Sequence, residues 1–387
     1  LEGIDWSPYT EQVEVYLNGE YRGVYLITEK NSVDETSVDI TDLEESYEDI
    51  NPGYGQNVTT DIAYNDYNCE YKYTTGLSDP ENITGGYLIE LNKTEYDEIN
   101  GFKTKRGKGV NIKSPEWSSK NAVKYISEYY QEFEDAVYAV DAEGKYTGYN
   151  QATGKYFYDY VDIDSLVKMV VLHGIGANPD GFISSVYFNK DADGIMYIGP
   201  IWDQDITLGT GWSIANPYNA DVYTNRYLIE ALMQIPVFQQ KFAKYFENTA
   251  EGIIEDVYKD GGIIDNHYDI LYKNAEMNYT LWPYIKVGYP KAEGHIWNNA
   301  NYELVVSDMK EWLGNRLEYL KEKFNPKYEL GDVNCDGVIN TIDAVLILRY
   351  IVDYQDDNFN VKFADFNNDG KVNTVDAVDI LKYVVSQ

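Results

Sequence analysis

The sequence predicts an α+β chain in two parts: a large domain of mixed strands and helices over 1–325 and a small all-α module over 326–387. Three observations predict this. Apolar residues alternate around Asn-Gly and Asp-rich turns in roughly the first half, the mark of hairpins. Helical spacing takes over beyond about residue 205. Near the C-terminus a twelve-residue Asp/Asn/Gly pattern followed by a helical apolar pattern occurs twice.

Composition narrows the function classes. At 387 residues with 44% hydrophobic side chains, the chain is long enough for one large and one small folded unit. Its 65 acidic against 31 basic residues give a net charge of −34. That balance excludes nucleic acid and anionic membrane as partners, because both require basic patches. No run of eighteen apolar residues is present, so no membrane-spanning helix is predicted. The two cysteines, Cys69 and Cys335, fall in different parts, and no structural disulfide is expected. The 39 tyrosines suit polar-tipped packing in a secreted protein. The chain opens at Leu1 without Met, so an N-terminal segment is expected to precede it.

The first element is a hairpin: Val13, Val15 and Leu17 alternate, Asn18-Gly19 is a type I′ turn signal, and 21–27 returns. Residues 30–83 are polar, weakly patterned, and read as an irregular insertion. Strands are predicted at 86–91 and 110–113, with a cationic stretch (Lys103, Lys105, Arg106, Lys108) before the second. Val123, Ile126, Tyr130, Phe133 and Val137 place a helix over roughly 118–140. Asp162 or Asp164 can cap a helix through Leu166, Val170 and His173 that ends at Gly174 or Gly176. Asn178-Pro179-Asp180-Gly181 follows, then a hairpin over 186–198 turning at 191–194, then Gly199-Pro200-Ile201-Trp202-Asp203-Gln204-Asp205. The remainder of the large domain reads as helical, ending near 306–323, with Asn325-Pro326-Lys327 as linker. His173, His267 and His295 lie too far apart for a metal site, and a satisfied packing role is expected for His173.

The first C-terminal loop places oxygens at Asp332, Asn334, Asp336, Asn340 and Asp343, with Gly337 at position six and the Val338 carbonyl at position seven. The second repeats this with Asp365, Asn367, Asp369, Asn373 and Asp376, Gly370 and the Lys371 carbonyl. Hard oxygen ligands at this spacing suit Ca²⁺, so two calcium ions are predicted. After the loops, Ala344, Val345, Ile347, Leu348, Tyr350 and Ile351 and then Ala377, Val378, Ile380, Leu381, Tyr383 and Val384 follow helical spacing, as for a helix burying one face. Pro326 and Gly331 are poor material for an entering helix, and position twelve is Asp rather than the Glu of an EF-hand.

Loop-then-helix twice, with Asp at position twelve, resembles a type I dockerin. The resemblance implies a calcium-folded module that docks onto a cohesin domain of a cellulosomal scaffold. It implies cohesin contact through Thr341, Ile342, Leu348 and Arg349 and through Thr374, Val375, Leu381 and Lys382. The large domain carries Val15-Tyr16-Leu17-Asn18-Gly19-Glu20-Tyr21-Arg22-Gly23-Val24-Tyr25-Leu26, Gly85-Gly86-Tyr87-Leu88-Ile89-Glu90, Ile112-Lys113-Ser114-Pro115-Glu116 and the Gly199–Asp205 motif. Over roughly 10–325 it resembles the CotH spore-coat kinases. That implies an atypical protein-kinase-like fold, with the N-lobe expected to be incomplete here, using ATP and Mg²⁺ to phosphorylate Ser or Thr on a protein acceptor.

The order helix, acidic loop, hairpin, Asp also matches the kinase C-lobe, where two carboxylates flank one hairpin. On this reading Asp180 is the catalytic base, Asp203 holds the metal with Asp205 assisting, and Ser185 stands where kinases place a metal-binding Asn. Lys113 is the candidate phosphate lysine, with Glu29 or Glu90 as its ion-pair partner. Asn-Pro-Asp-Gly is equally a β-turn sequence without chemistry. Three functions therefore remain open at this point: a secreted, cellulosome-attached kinase, a catalytically inactive binding or structural component, and a polysaccharide-degrading component.

Overall fold

A computed structural model describes residues 6–209, 217–282, 302–324, 330–334, 337–354 and 359–386. It begins with the expected hairpin: β1 (Thr10–Leu17) and β2 (Glu20–Thr28) pair antiparallel. Asn18 and Gly19 turn with φ of 52° and 81°, the left-handed conformation that a type I′ turn requires. Next come α1 (Leu43–Ile50), β3 (Thr60–Tyr64) and β4 (Glu70–Thr74). Residues 30–83 are therefore not an irregular insertion. β3 is almost wholly exposed, which erases the alternation by which a strand is recognised, and β4 gains its identity from pairing with a distant strand.

β5 (Tyr87–Asn92), β6 (Gly101–Lys103) and β7 (Gly109–Ser114) precede α2 (Lys120–Val137). After β8 (Tyr149–Asn150) and β9 (Lys155–Tyr156) the chain enters α3 (Ile163–Gly176), then β10 (Val186–Lys190) and β11 (Met196–Ile198). Seven strands form one antiparallel sheet in the order β11-β10-β5-β7-β6-β4-β3. Alternate residues Ile89, Leu91, Val110, Ile112 and Phe188 are buried in one cluster with Val123, Ile126, Tyr130 and Phe133 of α2. The opposite face carries Leu88 and Tyr187, packed with Val38 and Trp202.

The rest of the large unit is helical: α4 (Ile229–Leu232), α5 (Pro236–Tyr245), a π-helical turn (Phe246–Ala250), α6 (Glu251–Tyr258), α7 (Ile263–Leu281) and α8 (Tyr302–Phe324). The β1–β2 hairpin stands apart from the main sheet and rests on α7. There the Asn278 Oδ1 accepts from the Val24 amide at 3.0 Å and the Trp282 indole donates to the Arg22 carbonyl at 3.1 Å. α9 (Thr341–Ile351) and α10 (Thr374–Ser386) pack on each other around Ala344, Leu346, Ile347, Ala377 and Ile380. The apolar faces expected of these helices are only partly buried: Val345, Leu348, Tyr350, Val378 and Leu381 are exposed, and Leu346 is buried instead. Among the described residues the seam between the two helices covers only one side of each, although Tyr350 stacks on Phe359 with ring centroids 4.6 Å apart. Cys69 is a free, buried thiol, while Cys335, the 325–327 linker and His295 lie outside the described residues. No described helix is long and apolar enough to cross a membrane.

α3 is the element that organises the interior. Asp162 caps it, its Oδ1 accepting from the Ser165 amide at 2.7 Å, and Ala177 ends it in the left-handed region at φ 45°. At its end, fully buried Arg316 of α8 donates to the Gly174 carbonyl at 2.9 Å and to the Tyr218 and Ala220 carbonyls at 2.8 and 2.7 Å. Gly174 is required here, since a Cβ would lie 1.6 Å from the Tyr223 hydroxyl oxygen. His173 packs edge-on against Phe182 with ring centroids 5.3 Å apart, and its buried Nδ1 has no hydrogen-bond partner among the described residues.

Burial pushes the His173 pKa down to about 4 from an unfolded value of 6.5. Between those values the unfolded chain binds a proton that the folded chain refuses, so stability falls as pH drops from 6.5 towards 4, by up to roughly 3 kcal/mol. His173→Leu is expected to flatten that part of the stability profile. Urea unfolding of both proteins at pH 4.5, 5.5 and 6.5 checks this, and parallel slopes would refute it.

Candidate functional site

The two acidic loops of the large unit meet at the C-terminal end of α3. Within 177–185 the Asp180 amide donates to the Asn178 Oδ1 at 2.9 Å, and the Asp180 carbonyl accepts from the Ile183 and Ser184 amides at 2.8 and 3.2 Å. The turn is strained: Ala177, Phe182 and Ser185 all have positive φ, at 45°, 60° and 58°. Asn178 then reaches across to the second loop, its Nδ2 donating to the Gln204 Oε1 at 3.3 Å, and the Leu208 amide donates to the Gly176 carbonyl at 2.8 Å. These two bonds join the Asp180 loop to the loop bearing Asp203 and Asp205.

Asp203 is exposed, in the left-handed region at φ 56°. Asp205 lies beside it: desolvation, then the Asp203 charge and a hydrogen bond with the Asp203 carboxylate, hold the Asp205 pKa above the ordinary range. Paired carboxylates of this kind suit Mg²⁺, which takes one or two protein carboxylates and fills its remaining positions with water and phosphate oxygens. Among the described residues no three His, Cys, Asp or Glu side chains form a metal cluster, so Asp203 and Asp205 could supply only part of such a shell. Ser185 sits at the start of β10, its amide donating to the Leu91 carbonyl at 2.9 Å.

Lys113, Glu90 and Asn111 lie on the sheet face opposite α2. The Lys113 Nζ is 3.7 Å from a Glu90 carboxylate oxygen and also bonds Glu98. Burial raises the Glu90 pKa against the opposing pull of Lys113. Glu29 is not a partner of Lys113; its carboxylate accepts from the Tyr9 amide at 2.8 Å. Lys113 faces a cavity of about 730 Å³ whose wall carries Glu44, Glu45, Glu98 and Glu116. That potential repels a bare polyphosphate.

The group that sequence reasoning missed is Lys108. Only 7% exposed, it donates through Nζ to the Phe182 carbonyl at 3.1 Å and to the Ile183 carbonyl, and lies 5.0 Å from the Tyr227 ring centroid. Burial lowers its pKa to about 8. Lys108 therefore grips the Asp180 loop from the β6–β7 turn. Its place in a cationic stretch was visible; the carbonyls it would hold, more than seventy residues away, were not.

The C-terminal loops are built the same way twice. Asp332 accepts from the Gly337 amide at 2.8 Å, and Asp365 accepts from the Gly370 amide at 2.8 Å. Both glycines turn at φ 84°. Fully buried Asp343 accepts from the Val333 and Asn340 amides, at 2.9 and 2.8 Å. Asp376, also fully buried, accepts from the Asn367 and Asn373 amides at 3.2 and 2.8 Å. Asn340 and Asn373 cap α9 and α10 by accepting from the Ile342 and Val375 amides at 2.7 and 2.9 Å. Asn334, Asp369 and the Val338 and Lys371 backbones complete an all-oxygen donor set, while Asp336 lies outside the described residues. This set fits a hard cation such as Ca²⁺. Thr341, Ile342, Leu348, Arg349, Thr374, Val375, Leu381 and Lys382 are all exposed on the two helices.

Comparison with known families divides the chain along the same line. Residues 6–320 match the family described as CotH kinase protein, and residues 330–385 match the dockerin type I domain. No curated protein and no solved structure matches the chain.

Lys108→Met is expected to destabilise the large unit by roughly 2 kcal/mol, the worth of charged hydrogen bonds to buried carbonyls. It should also increase amide exchange at Ile183 and Ser184. Urea midpoints and hydrogen exchange check both; an unchanged midpoint with unchanged exchange would refute the clamp.

Proposed function

This chain belongs to the CotH kinase protein family and carries a dockerin type I domain, and from that premise we propose that it is a scaffold-attached, ATP- and Mg²⁺-dependent Ser/Thr protein kinase. Dockerins bind calcium and the cohesin domains of scaffoldins, which implies a cellulosome-type assembly. On this reading residues 1–325 form a kinase-like domain, residues 326–387 form a two-repeat dockerin, and the protein works outside the cell. The observation that carries it is the junction of the two acidic loops through the Asn178–Gln204 hydrogen bond.

In this reading Asp180 accepts the proton of the acceptor hydroxyl as that oxygen bonds to the γ-phosphorus of ATP. The bond from the γ-phosphorus to the β–γ bridging oxygen breaks, and ADP leaves with that electron pair. Mg²⁺, when bound, neutralises phosphate charge. Asp203 and Asp205 are the carboxylates that would hold it, with Ser185, which follows the Asp180 turn, as a further hydroxyl. Lys108 and Arg316 do not touch substrate; they fix the backbone that aims Asp180.

In the dockerin, Asp332, Asn334, Asp336, the Val338 carbonyl, Asn340 and Asp343 would hold one calcium. Asp365, Asn367, Asp369, the Lys371 carbonyl, Asn373 and Asp376 would hold the other. Cohesin contact falls to the exposed positions of α9 and α10. Val345 and Val378, 48% and 47% exposed, extend the apolar surface offered there.

One observation favours a second reading, a kinase-like domain kept for binding alone. Lys113 is engaged by Glu90 and Glu98 and faces a mostly acidic cavity in which Lys30 is the other lysine among the described lining residues, so the candidate phosphate lysine is already paired.

Asp180→Asn and Asp203→Ala are each expected to lower phosphate transfer from ATP to a protein acceptor by about 10²-fold or more, with cohesin binding unchanged. Wild-type transfer equal to that of both variants would sink the kinase reading. Chelation should melt the dockerin while sparing the larger domain. The calcium linkage is worth roughly 4 kcal/mol when free Ca²⁺ stands a thousandfold above its Kd. A single thermal transition indifferent to EDTA would contradict this.

A further inference from the structure

Behind the junction of the acidic loops lies a second cavity that the proposed reaction does not use. It measures about 270 Å³ and opens between α3, α5, α6 and α8. Leu172 and Ile175 of α3, Ile253 and Ile254 of α6, Leu313 of α8 and Leu208 wall it. Its lining is almost entirely apolar. Lys168 is the one charged side chain among the described residues that line it, and its Nζ stands 5.9 Å from the centroid of the Tyr245 ring.

Two features make this more than a packing fault. The π-helical turn Phe246–Ala250 joins α5 to α6 at the cavity, and its last residue, Ala250, faces the space with only a methyl group. π-turns inside helices shift the register by one residue and are frequent at functional sites. Ile253, in the cavity wall, remains 43% exposed, an isoleucine held at an open mouth where a covering partner would bury it.

We infer that this cavity binds a small amphiphilic monoanion, an aliphatic or aromatic carboxylate of about ten non-hydrogen atoms, with its apolar body against Leu172, Ile175 and Ile254 and its carboxylate at Lys168. Size and charge together select the occupant. Apolar cavities of about 150 Å³ accept benzene, so 270 Å³ admits a somewhat longer body and is too small for a folded partner. In a chain of net charge −34, a cavity whose one charged lining residue is a lysine favours an anionic head over a neutral or cationic one. Burying the hydrocarbon supplies affinity, at roughly 0.8 kcal/mol per methylene.

The walls of this cavity continue into both acidic loops. Ile175 lies two residues before Ala177, and Leu208 lies three residues after Asp205. The bond between the Leu208 amide and the Gly176 carbonyl closes the wall at 2.8 Å. An occupant therefore holds together the same two segments that present Asp180 and the Asp203–Asp205 pair.

Octanoate and 1-octanol, titrated into the calcium-loaded full chain by calorimetry, test the site without reference to phosphate transfer. Octanoate is expected to bind saturably at one site, at least tenfold more tightly than octanol. Lys168→Met should erase that preference while octanol still binds, and Leu172→Trp should abolish both by filling the space. With octanoate bound, exchange of the Leu208 and Ala177 amides should slow. Absence of saturable octanoate binding to the wild type, an octanoate preference that survives Lys168→Met, undiminished binding to a folded Leu172→Trp, or binding without protection at Leu208 would each overturn the assignment. Circular dichroism of both variants establishes that they fold, and Lys168→Met, which alters a partly exposed side chain, keeps the test decisive if Leu172→Trp does not.

Discussion

The C-terminal end of α3 is the constraint on which the rest of the large domain depends. A helix end leaves carbonyls without intrahelical partners, and here that end is buried beneath α8. Arg316 answers the problem with a guanidinium that bonds Gly174, Tyr218 and Ala220 at once. It thereby fixes the point from which 177–185 depart and pins the segment after the Asp205 loop to the same place. Removing such a group would leave several buried carbonyls unmet, a cost beyond that of one hydrogen bond.

On the surface of so acidic a chain cations pair with carboxylates: Lys103, Lys124, Lys310 and Lys321 all pair with Asp or Glu. The buried cations do something else. Arg316, Lys108 and Lys190 all direct donors at backbone carbonyls. Lys190 is also held 4.7 Å from the Tyr129 ring centroid. Carbonyls at helix ends and in strained turns cannot all find amides, and a cation meets two or three at a time. The tyrosine-rich interior makes this tolerable, because ring faces partly compensate the desolvated charge. In the dockerin the polarity is reversed: carboxylates collect backbone amides. Asp343 accepts both from the Val333 amide at the start of the loop and from the amide of Asn340, which caps α9.

How far the sequence could be read followed from the range of the interaction concerned. The β1–β2 turn, the cap and stop of α3, the β10–β11 hairpin and the repeated loops are written in residues close together, and they appear where the spacing places them. β3 and β4 were missed because an exposed strand has no pattern, and β6 because three residues are too few to show one. The outward-facing apolar positions of α9 and α10 were misassigned because periodicity says that a face is apolar without saying whether anything covers it.

By itself the sequence determined the two-part organisation, the two oxygen-rich loops, and the placement of Asp180, Asp203 and Asp205 at either end of one hairpin. Each of these rests on turn chemistry or helical period, both short-range. Only the tertiary structure decided that Asn178 meets Gln204, that Lys113 pairs with Glu90 and Glu98 rather than Glu29, that Lys108 holds the Asp180 loop by its carbonyls, and that Arg316 holds the end of α3. Those contacts join residues up to 142 positions apart. The lysine and arginine contacts depend on backbone acceptors that every residue carries alike, and the side-chain pairs on a fold that brings distant residues together, so local spacing along the sequence could announce neither.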